Sequence, residues 1–277
     1  MNEAFEIMMW PFVACLLLPG LLVYLGLHIV KREIIFVDLA LAQVAALGIC
    51  MAILLGHDAH DWQTTARSGG FTLAGAAILT LTRPRAKGGR VPQEALIGIV
   101  YVVAAAGSFL LLSRSPEGNE ELRRTLVGEI LLVQPGEVIR TFALFVAVGV
   151  LHFVFRRQFW QLTFDPEKGS TDGRRIWFWD FLFYVLFGIV VTSFVRMGGV
   201  LLVFSYLIIP AVCANIFATT MRTRLAVGWV VATVASVAGL YASYRLDLPT
   251  GAAIVCALGL ALLLSSAVRI FQSTDHV

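Results

Sequence analysis

Long apolar runs separated by shorter polar segments dominate this sequence. The runs lie near residues 8–30, 34–55, 70–82, 94–113, 138–155, 176–195, 198–218, 224–244 and 250–271. Most have about the 20 residues that an α-helix needs to cross the hydrocarbon core of a bilayer. The third run is short, so it is predicted to be a re-entrant or broken segment. We therefore predict an all-α fold: a polytopic transmembrane helix bundle of eight or nine spans, forming one domain over residues 1–277.

The composition supports a membrane protein. Hydrophobic residues make up 58% of the chain and charged residues only 14%, which is outside the range of soluble proteins. The first apolar run has no basic front end and no A-x-A cleavage site, so we expect it to be a retained helix. All the cysteines lie in apolar runs without a close pair, which indicates buried small hydrophobic residues rather than disulfides or a zinc site. They are Cys15, Cys50, Cys213 and Cys256.

Positive charge is concentrated on alternate connections between the runs. Because such connections face the cytoplasm, the predicted topology in the cell (inner) membrane has the N-terminus outside and the C-terminus inside. Asp180 and His152 then lie near cytoplasmic ends of spans, where they are predicted to be solvated or to cap helices. The basic residues are Lys31 and Arg32; Arg83, Arg85, Lys87 and Arg90; Arg156, Arg157, Lys168, Arg174 and Arg175; and Arg222 and Arg224.

Two polar side chains interrupt the second apolar run. Residues 36–48 read FVDLALAQVAALG, with a carboxylate, Asp38, and an amide, Gln43, among small and apolar residues. Five positions on a helix separate two side chains by roughly 140° around the axis, so the pair does not share one narrow stripe. A buried charge is costly unless it faces a bundle interior, a partner or a water-filled path. Asp38 therefore either borders such a path or stays partly solvated at the helix start, where the helix dipole favours a carboxylate.

Two further groups of polar residues lie between spans. Glu129 stands in TLVGEILLVQPGEV, whose apolar part of about ten residues suits a re-entrant or interfacial segment. It is predicted either to contribute to the path or to an outer gate, or to be a helix cap or an interfacial, solvated carboxylate. The predicted outer loop after the second span reads HDAHD, with His57, Asp58, His60 and Asp61. Imidazole and carboxylate suit zinc, manganese and iron, so this loop is predicted to be either a metal relay or an ordinary solvated loop.

Residues 36–48 resemble the second membrane helix of the zinc/manganese-type metal-ion ABC importer permeases. Phe36, Leu41, Ala42 and Gly48 match that pattern, whereas the family's histidine falls on Gln43 and its aspartate on Leu39. The resemblance continues in GGVLLVFSYLIIPAVCAN, through Gly199, Leu201, Leu202, Leu207, Ile208, Ile209, Pro210, Ala211 and Ala214. Pro210 is predicted to kink its helix, because proline removes a backbone donor and leaves the carbonyl of Tyr206 without its helical partner.

The longest polar connection, about residues 156–175, is similar to the cytoplasmic segment that docks into the ATPase subunit in this family. The resemblance implies that this segment couples the chain to that ATPase; the alternative is a plain cytoplasmic loop of the positive-inside kind. The residues concerned are Phe164, Asp165, Glu167, Gly169 and Gly173.

The resemblance implies a permease subunit of an ABC importer for divalent metal ions, with zinc expected first and manganese or iron as alternatives, working by alternating access. Implied partners are a cytoplasmic ABC ATPase, an extracytoplasmic metal-binding protein, a second copy of the chain and the lipid bilayer, but no nucleic acid. The sequence contains no G-x-x-x-x-G-K-[ST], so ATP is expected to be used by the partner, and the chain is predicted to be no enzyme and to bind no cofactor itself. The alternative is an ion-coupled secondary transporter or channel that uses no ATPase.

Overall fold

The structure is a computed structural model that describes residues 2–57, 62–82, 92–113, 128, 130–164 and 173–274. Within these residues it contains helices and no strand, so the predicted all-α fold is confirmed. A 3-10 turn, Ile130–Leu132, precedes the fifth helix. The α-helices are α1 (Asn2–Arg32), α2 (Val37–Leu54), α3 (Trp62–Leu81), α4 (Gln93–Leu112), α5 (Pro135–Val154), α6 (Arg156–Phe164), α7 (Gly173–Phe217), α8 (Met221–Leu246) and α9 (Thr250–Thr274).

In the described part of the chain, 7 helices are long and apolar enough to cross a membrane. The predicted number of eight or nine spans is therefore too high by this measure. One reason is α7, whose apolar part is a single run of 42 residues from Ile176 to Phe217 and covers two predicted spans. Gly199 divides this run in two, because its φ of 75° and ψ of 163° are not helical. A left-handed φ of this kind is readily adopted by glycine and disfavoured for residues with a Cβ.

The other reason is α3, which is not among the 7 because its mean hydropathy is too low. The sequence pattern predicts only a short segment over residues 70–82. It is instead a continuous helix of 20 residues that already begins at Trp62. Its early turns hold the polar residues Thr64, Ser68 and Thr72, which lower the mean hydropathy and concealed the start of the helix. These side chains are buried. The broken interpretation of this segment is therefore wrong for the described helix, and the re-entrant interpretation stays a prediction.

The chain forms two compact units, each assembled from separate stretches of sequence. The first unit comprises Met1–Val30, Leu126–Ala143 and Phe194–Val277, and the second comprises Lys31–Thr125 and Leu144–Ser193. The prediction of one domain over residues 1–277 stays a prediction.

Close helix packing through glycine characterises the first unit. A Cβ on Gly26 would lie 1.8 Å from the carbonyl oxygen of Leu207, so only glycine allows α1 to approach α7 this closely. Gly228 of α8 similarly lies against Pro210, because a Cβ on Gly228 would be 3.2 Å from the carbonyl oxygen of Pro210. The helix runs on through Pro210 to Phe217, and the predicted kink there stays a prediction.

In the second unit, α2 packs against both α3 and α4. Small residues again allow the close contacts: Gly75 of α3 lies against Leu41 and Val44, and Gly107 of α4 lies against Leu47. Residues on nearly every side of α2 are buried as a result, including both of its polar side chains. The stretch from Phe36 to Gly48 is thus central to this unit.

The cysteines are not joined by disulfides. Cys15, Cys50 and Cys213 are buried, as the apolar context predicts. Cys256 is exposed on α9, so the prediction of burial is wrong for that residue. An apolar helix face that meets lipid has the same composition as one that meets protein, which explains the error.

Candidate functional site

The first turn of α2 places a carboxylate in an apolar environment. Asp38 is 1% exposed, and its Oδ1 atom has no hydrogen-bond partner among the described residues. The N-terminal end of a helix favours a negative charge, so the helix dipole partly offsets the cost of this burial. Asp38 does lie at the helix start, as one of the two alternatives predicts. That alternative also predicts a partly solvated carboxylate, which is wrong because the side chain is buried. A buried oxygen without a donor is a candidate ligand for a cation.

A second carboxylate, Glu94, stands beside the start of α2. Its Oε1 atom accepts a hydrogen bond of 3.0 Å from the backbone N–H of Phe36, while its Oε2 atom is buried without a described partner. Glu94 also interacts electrostatically with Asp38. Two carboxylates, each with one oxygen lacking a donor, make this part of the second unit strongly attractive to a cation.

Sequence reasoning missed Glu94. It opens the fourth apolar run only two residues after Pro92, and an acid in that position looks like an ordinary first-turn carboxylate. The detectable signal was that a second acidic residue begins an apolar helix, as Asp38 does in α2. Only the fold brings the starts of α2 and α4 together.

Gln43, the other predicted path residue, is buried in α2 with 6% of its surface exposed. Among the described hydrogen bonds and ion pairs, none joins Gln43 to Asp38 or Glu94. The prediction that all of these border one path stays a prediction.

The remaining predicted metal and path residues lie mostly outside the described residues. This applies to Asp58, His60 and Asp61 of the loop and to Glu129. His57 is described: it follows α2, and its backbone N–H donates to the carbonyl of Ala52 at 3.1 Å. No group of three or more His, Cys, Asp or Glu side chains that could hold a metal occurs in the described ranges. The loop relay therefore stays a prediction.

The predicted coupling segment begins with the short amphipathic helix α6. Phe159, Leu162 and Thr163 form its buried face, at helical spacing. One turn before Thr163, Trp160 is 46% exposed and stacks on Phe164, with ring centroids 4.2 Å apart. The side chain of Phe164 thus belongs to an accessible aromatic pair. Gly173 is the first residue of α7, whereas Asp165, Glu167 and Gly169 lie outside the described residues.

A buried ion pair lies next to α6. Arg32 donates a hydrogen bond from Nη1 to Oδ1 of Asp180 at 3.1 Å, and the two side chains are 8% and 1% exposed. The prediction that Asp180 is solvated or caps a helix is therefore wrong. Its partner lies 148 residues away in the sequence, so sequence reasoning that considered each span alone had no means of pairing them.

His152 is likewise buried rather than solvated, with 3% of its surface exposed. Its ring stacks on Phe159 at a centroid distance of 4.5 Å, and Nδ1 lies 3.1 Å from the carbonyl oxygen of Val148. The solvated alternative is wrong for His152 because an aromatic cluster contributed by α6 and α7 covers this end of α5, and the helix-capping alternative stays a prediction. Phe183 belongs to that cluster.

These features define a multi-pass, all-helical membrane protein with carboxylates at the start of two of its helices, of which Asp38 is buried. Residues 4–269 match the family model described as the ABC 3 transport family, and the chain belongs to that family. The family resemblance predicted from residues 36–48 and 199–214 is thereby confirmed.

Individual relatives are distant but extend over most of the chain. The manganese transport system membrane protein MntC of Listeria innocua is 24% identical over 231 residues, which is 83% of this chain and 79% of that protein. The manganese import system permease protein ScaB of Streptococcus gordonii is 24% identical over 240 residues, or 87% of this chain and 83% of that protein. A solved structure described as PsaBC from Streptococcus pneumoniae in complex with Fab superposes with a TM-score of 0.78 at 22% identity, covering 95% of this chain and 92% of that one. This structural likeness supports the fold.

Proposed function

We propose that this chain is the membrane-spanning permease subunit of an ABC importer and that its cargo is a divalent metal ion. Membership in the ABC 3 transport family supports the importer role, and relatives named as manganese transport and import proteins support the cargo. The observation that carries the proposal is the buried Asp38 carboxylate, with its unpartnered Oδ1 and with Glu94 beside it. In a low-dielectric environment such a pair attracts a dication strongly.

The chemistry of these side chains favours manganese over zinc. Carboxylate and carbonyl oxygens suit Mn²⁺, whereas imidazole and thiolate are the donors that favour zinc. Gln43 stands where the related permeases have a histidine, so α2 offers oxygen donors at both of its polar positions. The expectation of zinc as the first cargo is therefore replaced in this proposal by manganese, with iron and zinc as competitors to be tested.

Energy for transport comes from a separate subunit in this proposal, because the sequence contains no P-loop motif. The exposed face of α6, with the Trp160–Phe164 aromatic pair, is proposed to dock into a cytoplasmic ABC ATPase. Aromatic side chains that present a rigid surface are frequent anchors of protein interfaces. A second copy of the chain and an extracytoplasmic metal-binding protein complete the proposed assembly, which alternates access to the two sides of the inner membrane. The N-terminus is outside and the C-terminus is cytoplasmic.

Uptake by vesicles containing the purified permease–ATPase complex tests this function. The binding protein is supplied on the outer side together with manganese, zinc or iron, and metal accumulation is measured with and without ATP. We expect ATP-dependent uptake that is fastest for manganese. Uptake that proceeds equally well without ATP would favour a secondary transporter or channel, and ATP hydrolysis without accumulation of any of the three metals would refute the proposed cargo.

A matched pair of variants locates the path. Asp38→Asn keeps the shape of the side chain but removes its charge, and we expect uptake to fall at least about tenfold, corresponding to ~1.4 kcal/mol of lost interaction with the cation. Asp247→Asn makes the same chemical change at an exposed residue in the turn between α8 and α9, where φ is 53° and asparagine is well tolerated. That control is expected to transport like the wild type.

A further inference from the structure

Arg32 contacts two helices of the second unit, α6 and α7. Its Nη1 atom donates to Asp180 of α7 at 3.1 Å, and its Nε atom donates to Oγ1 of Thr163 in α6 at 3.0 Å. The guanidinium carbon also lies 3.9 Å from the ring centroid of Phe183, one turn further along α7. Arg32 itself ends α1, at the point where the chain turns toward α2.

From these contacts we infer that Arg32 is a positioning residue that ties α6 to the start of α2, so that a displacement of α6 moves the helix start bearing Asp38. The inference rests on the proposed function, because it assumes that α6 is the element on which the ATPase acts. To the proposed function it adds the segment that transmits a displacement of α6 to the carboxylates, namely Arg32 and the connection to α2.

The geometry of the guanidinium group explains why one arginine can hold both α6, through Thr163, and α7, through Asp180. The group is planar and presents its donors in a rigid fork, so binding Thr163 through Nε fixes the direction in which Nη1 meets Asp180. The charged hydrogen bond to a carboxylate is among the stronger kinds, and the aromatic face of Phe183 adds a cation–π interaction. Thr163 therefore cannot shift relative to Asp180 without loss of one of these contacts.

Burial makes the arrangement specific. The side chains of Arg32 and Asp180 are 8% and 1% exposed, so water does not readily replace either partner when the contact is broken. A buried ion pair adds little net stability compared with apolar residues, but an unpaired member is strongly unfavourable. The two groups therefore tend to move together, which is what transmission of a displacement requires.

The connection from Arg32 to α2 is short and internally bonded. Glu33 adopts a left-handed conformation with φ of 58°, and the N–H of Val37 donates to the carbonyl of Ile34 at 3.3 Å. The N–H of Phe36 is held by Glu94. Asp38 follows two residues later in the first turn of α2. Because the connection has so few residues and is held by these bonds, a displacement of Arg32 is transmitted almost fully to Asp38.

Part of the surface of α6 is exposed and can meet a partner. Thr163 lies on the buried face, whereas Trp160 is 46% exposed. A protein docked on the exposed face therefore need not disturb the bond between Arg32 and Thr163. A displacement of α6 by such a partner is therefore transmitted through the Arg32–Thr163 hydrogen bond and does not break it.

The test measures coupling rather than activity alone. The complete permease–ATPase complex in vesicles is assayed for manganese uptake and for ATP hydrolysis, and the ratio of the two rates is the readout. The first variant carries Arg32→Gln with Asp180→Asn, because removal of both charges leaves neither member of this ion pair without its counter-charge. The second is Thr163→Val, a change of nearly equal volume that removes the hydroxyl group that accepts the Nε hydrogen bond.

We expect the ratio of uptake to hydrolysis to fall about fivefold in the double variant and about twofold in Thr163→Val, within the range found for residues that carry coupling. Arg32→Lys keeps the charge but not the fork, so an intermediate ratio is expected. Arg245→Gln is the control: this exposed arginine contacts the Tyr241 ring at 5.9 Å, and its loss is expected to leave the ratio unchanged.

A merely structural role predicts a different pattern. Uptake and hydrolysis would then decrease together with the amount of assembled complex, and an unchanged ratio in both the double variant and Thr163→Val overturns the inference.

The wild-type complex tests the proposed function in the same vesicles. If it hydrolyses ATP without taking up manganese, the proposed cargo is wrong, a result distinct from unchanged coupling in the variants.

Discussion

The backbone N–H of Phe36 donates a hydrogen bond to Oε1 of Glu94 at 3.0 Å, and this contact connects the start of α2 with the start of α4. It fixes one carboxylate oxygen of Glu94 on the protein and leaves the other, Oε2, buried without a described partner. Glu94 therefore has two separable roles: an acceptor that holds α2, and a negative charge beside Asp38. A substitution that affects one role and not the other distinguishes them.

Glu94→Gln keeps an oxygen for the Phe36 N–H but removes the negative charge. We expect the complex to assemble normally and manganese uptake to fall about tenfold, because Asp38 then attracts the cation alone. The measurement is the initial rate of uptake over a range of manganese concentrations, with thermal stability of the purified chain measured in parallel. Normal uptake by this variant would show that the charge of Glu94 does not contribute to the cation site.

Glu94→Ala is the companion variant, because it removes the acceptor as well. Loss of a hydrogen bond of this kind costs about 1 kcal/mol, so a lower thermal stability is expected for Glu94→Ala than for Glu94→Gln. Equal stability of the two variants would contradict a structural role for the contact with Phe36.

The apolar spans and the importance of α2 were predictable from the sequence because both depend on local composition. Twenty-residue apolar runs have few alternatives to membrane-spanning helices, and small residues permit the close packing found around Leu41 and Leu47. The turn after α8 was also detectable: DLPTG signals the helix end at Leu246 and the new start at Thr250.

Contacts between distant parts of the sequence were not predictable in this way. Arg32 and Asp180 each look like ordinary charges at the end of a span, and only the fold pairs them. The beginning of α3 was not predicted because its polar side chains make the sequence there look like a loop. In the fold, these side chains form their hydrogen bonds within the protein. Ser68 donates to the carbonyl of Ala45 at 3.2 Å, and Thr72 donates to that of Ser68 at 2.8 Å. A hydropathy pattern records the polarity of such residues but not the partners that make their burial possible.

The Arg32–Asp180 pair provides a stability prediction that is independent of transport. Asp180→Asn leaves the guanidinium group buried without its counter-charge, and a loss of about 3–5 kcal/mol is expected. The double change Arg32→Gln with Asp180→Asn is expected to cost less than the sum of the two single changes, because neither charge remains. Thermal unfolding of the four proteins in detergent gives the interaction energy as a double-mutant cycle. Additive losses would show that the two side chains do not stabilise one another.

Glycine packing in the first unit gives a second stability prediction. Gly26→Ala places a Cβ in the position now occupied by the backbone carbonyl of Leu207, and a backbone oxygen cannot move aside as a side chain can. We expect a destabilisation of about 2 kcal/mol or more, seen as a lower unfolding temperature and a smaller monodisperse fraction after purification.

Gly149→Ala is the matched control for that variant. A Cβ at Gly149 of α5 meets nothing within 4 Å, so the change is expected to be neutral or to stabilise the helix by about 0.5–1 kcal/mol. A loss of stability in Gly149→Ala as large as that in Gly26→Ala would mean that the space around Gly26 is not what determines its effect.

Binding of manganese to the carboxylates of Asp38 and Glu94 is expected to stabilise the folded protein directly. A ligand that binds only the native state raises its stability by about 2.7 kcal/mol when present at 100 times its Kd, and a chelator that removes the metal reverses the gain. Manganese should therefore raise the unfolding temperature of the wild-type complex, while Asp38→Asn and Glu94→Gln should show a much smaller rise and Asp247→Asn the full one. Because magnesium gives up its bound water more reluctantly than manganese does, it should stabilise the wild type less than manganese at the same concentration. A manganese-dependent rise of equal size in all three variants would assign the bound metal to another part of the protein, and the carboxylates at the starts of α2 and α4 would then have no part in holding it.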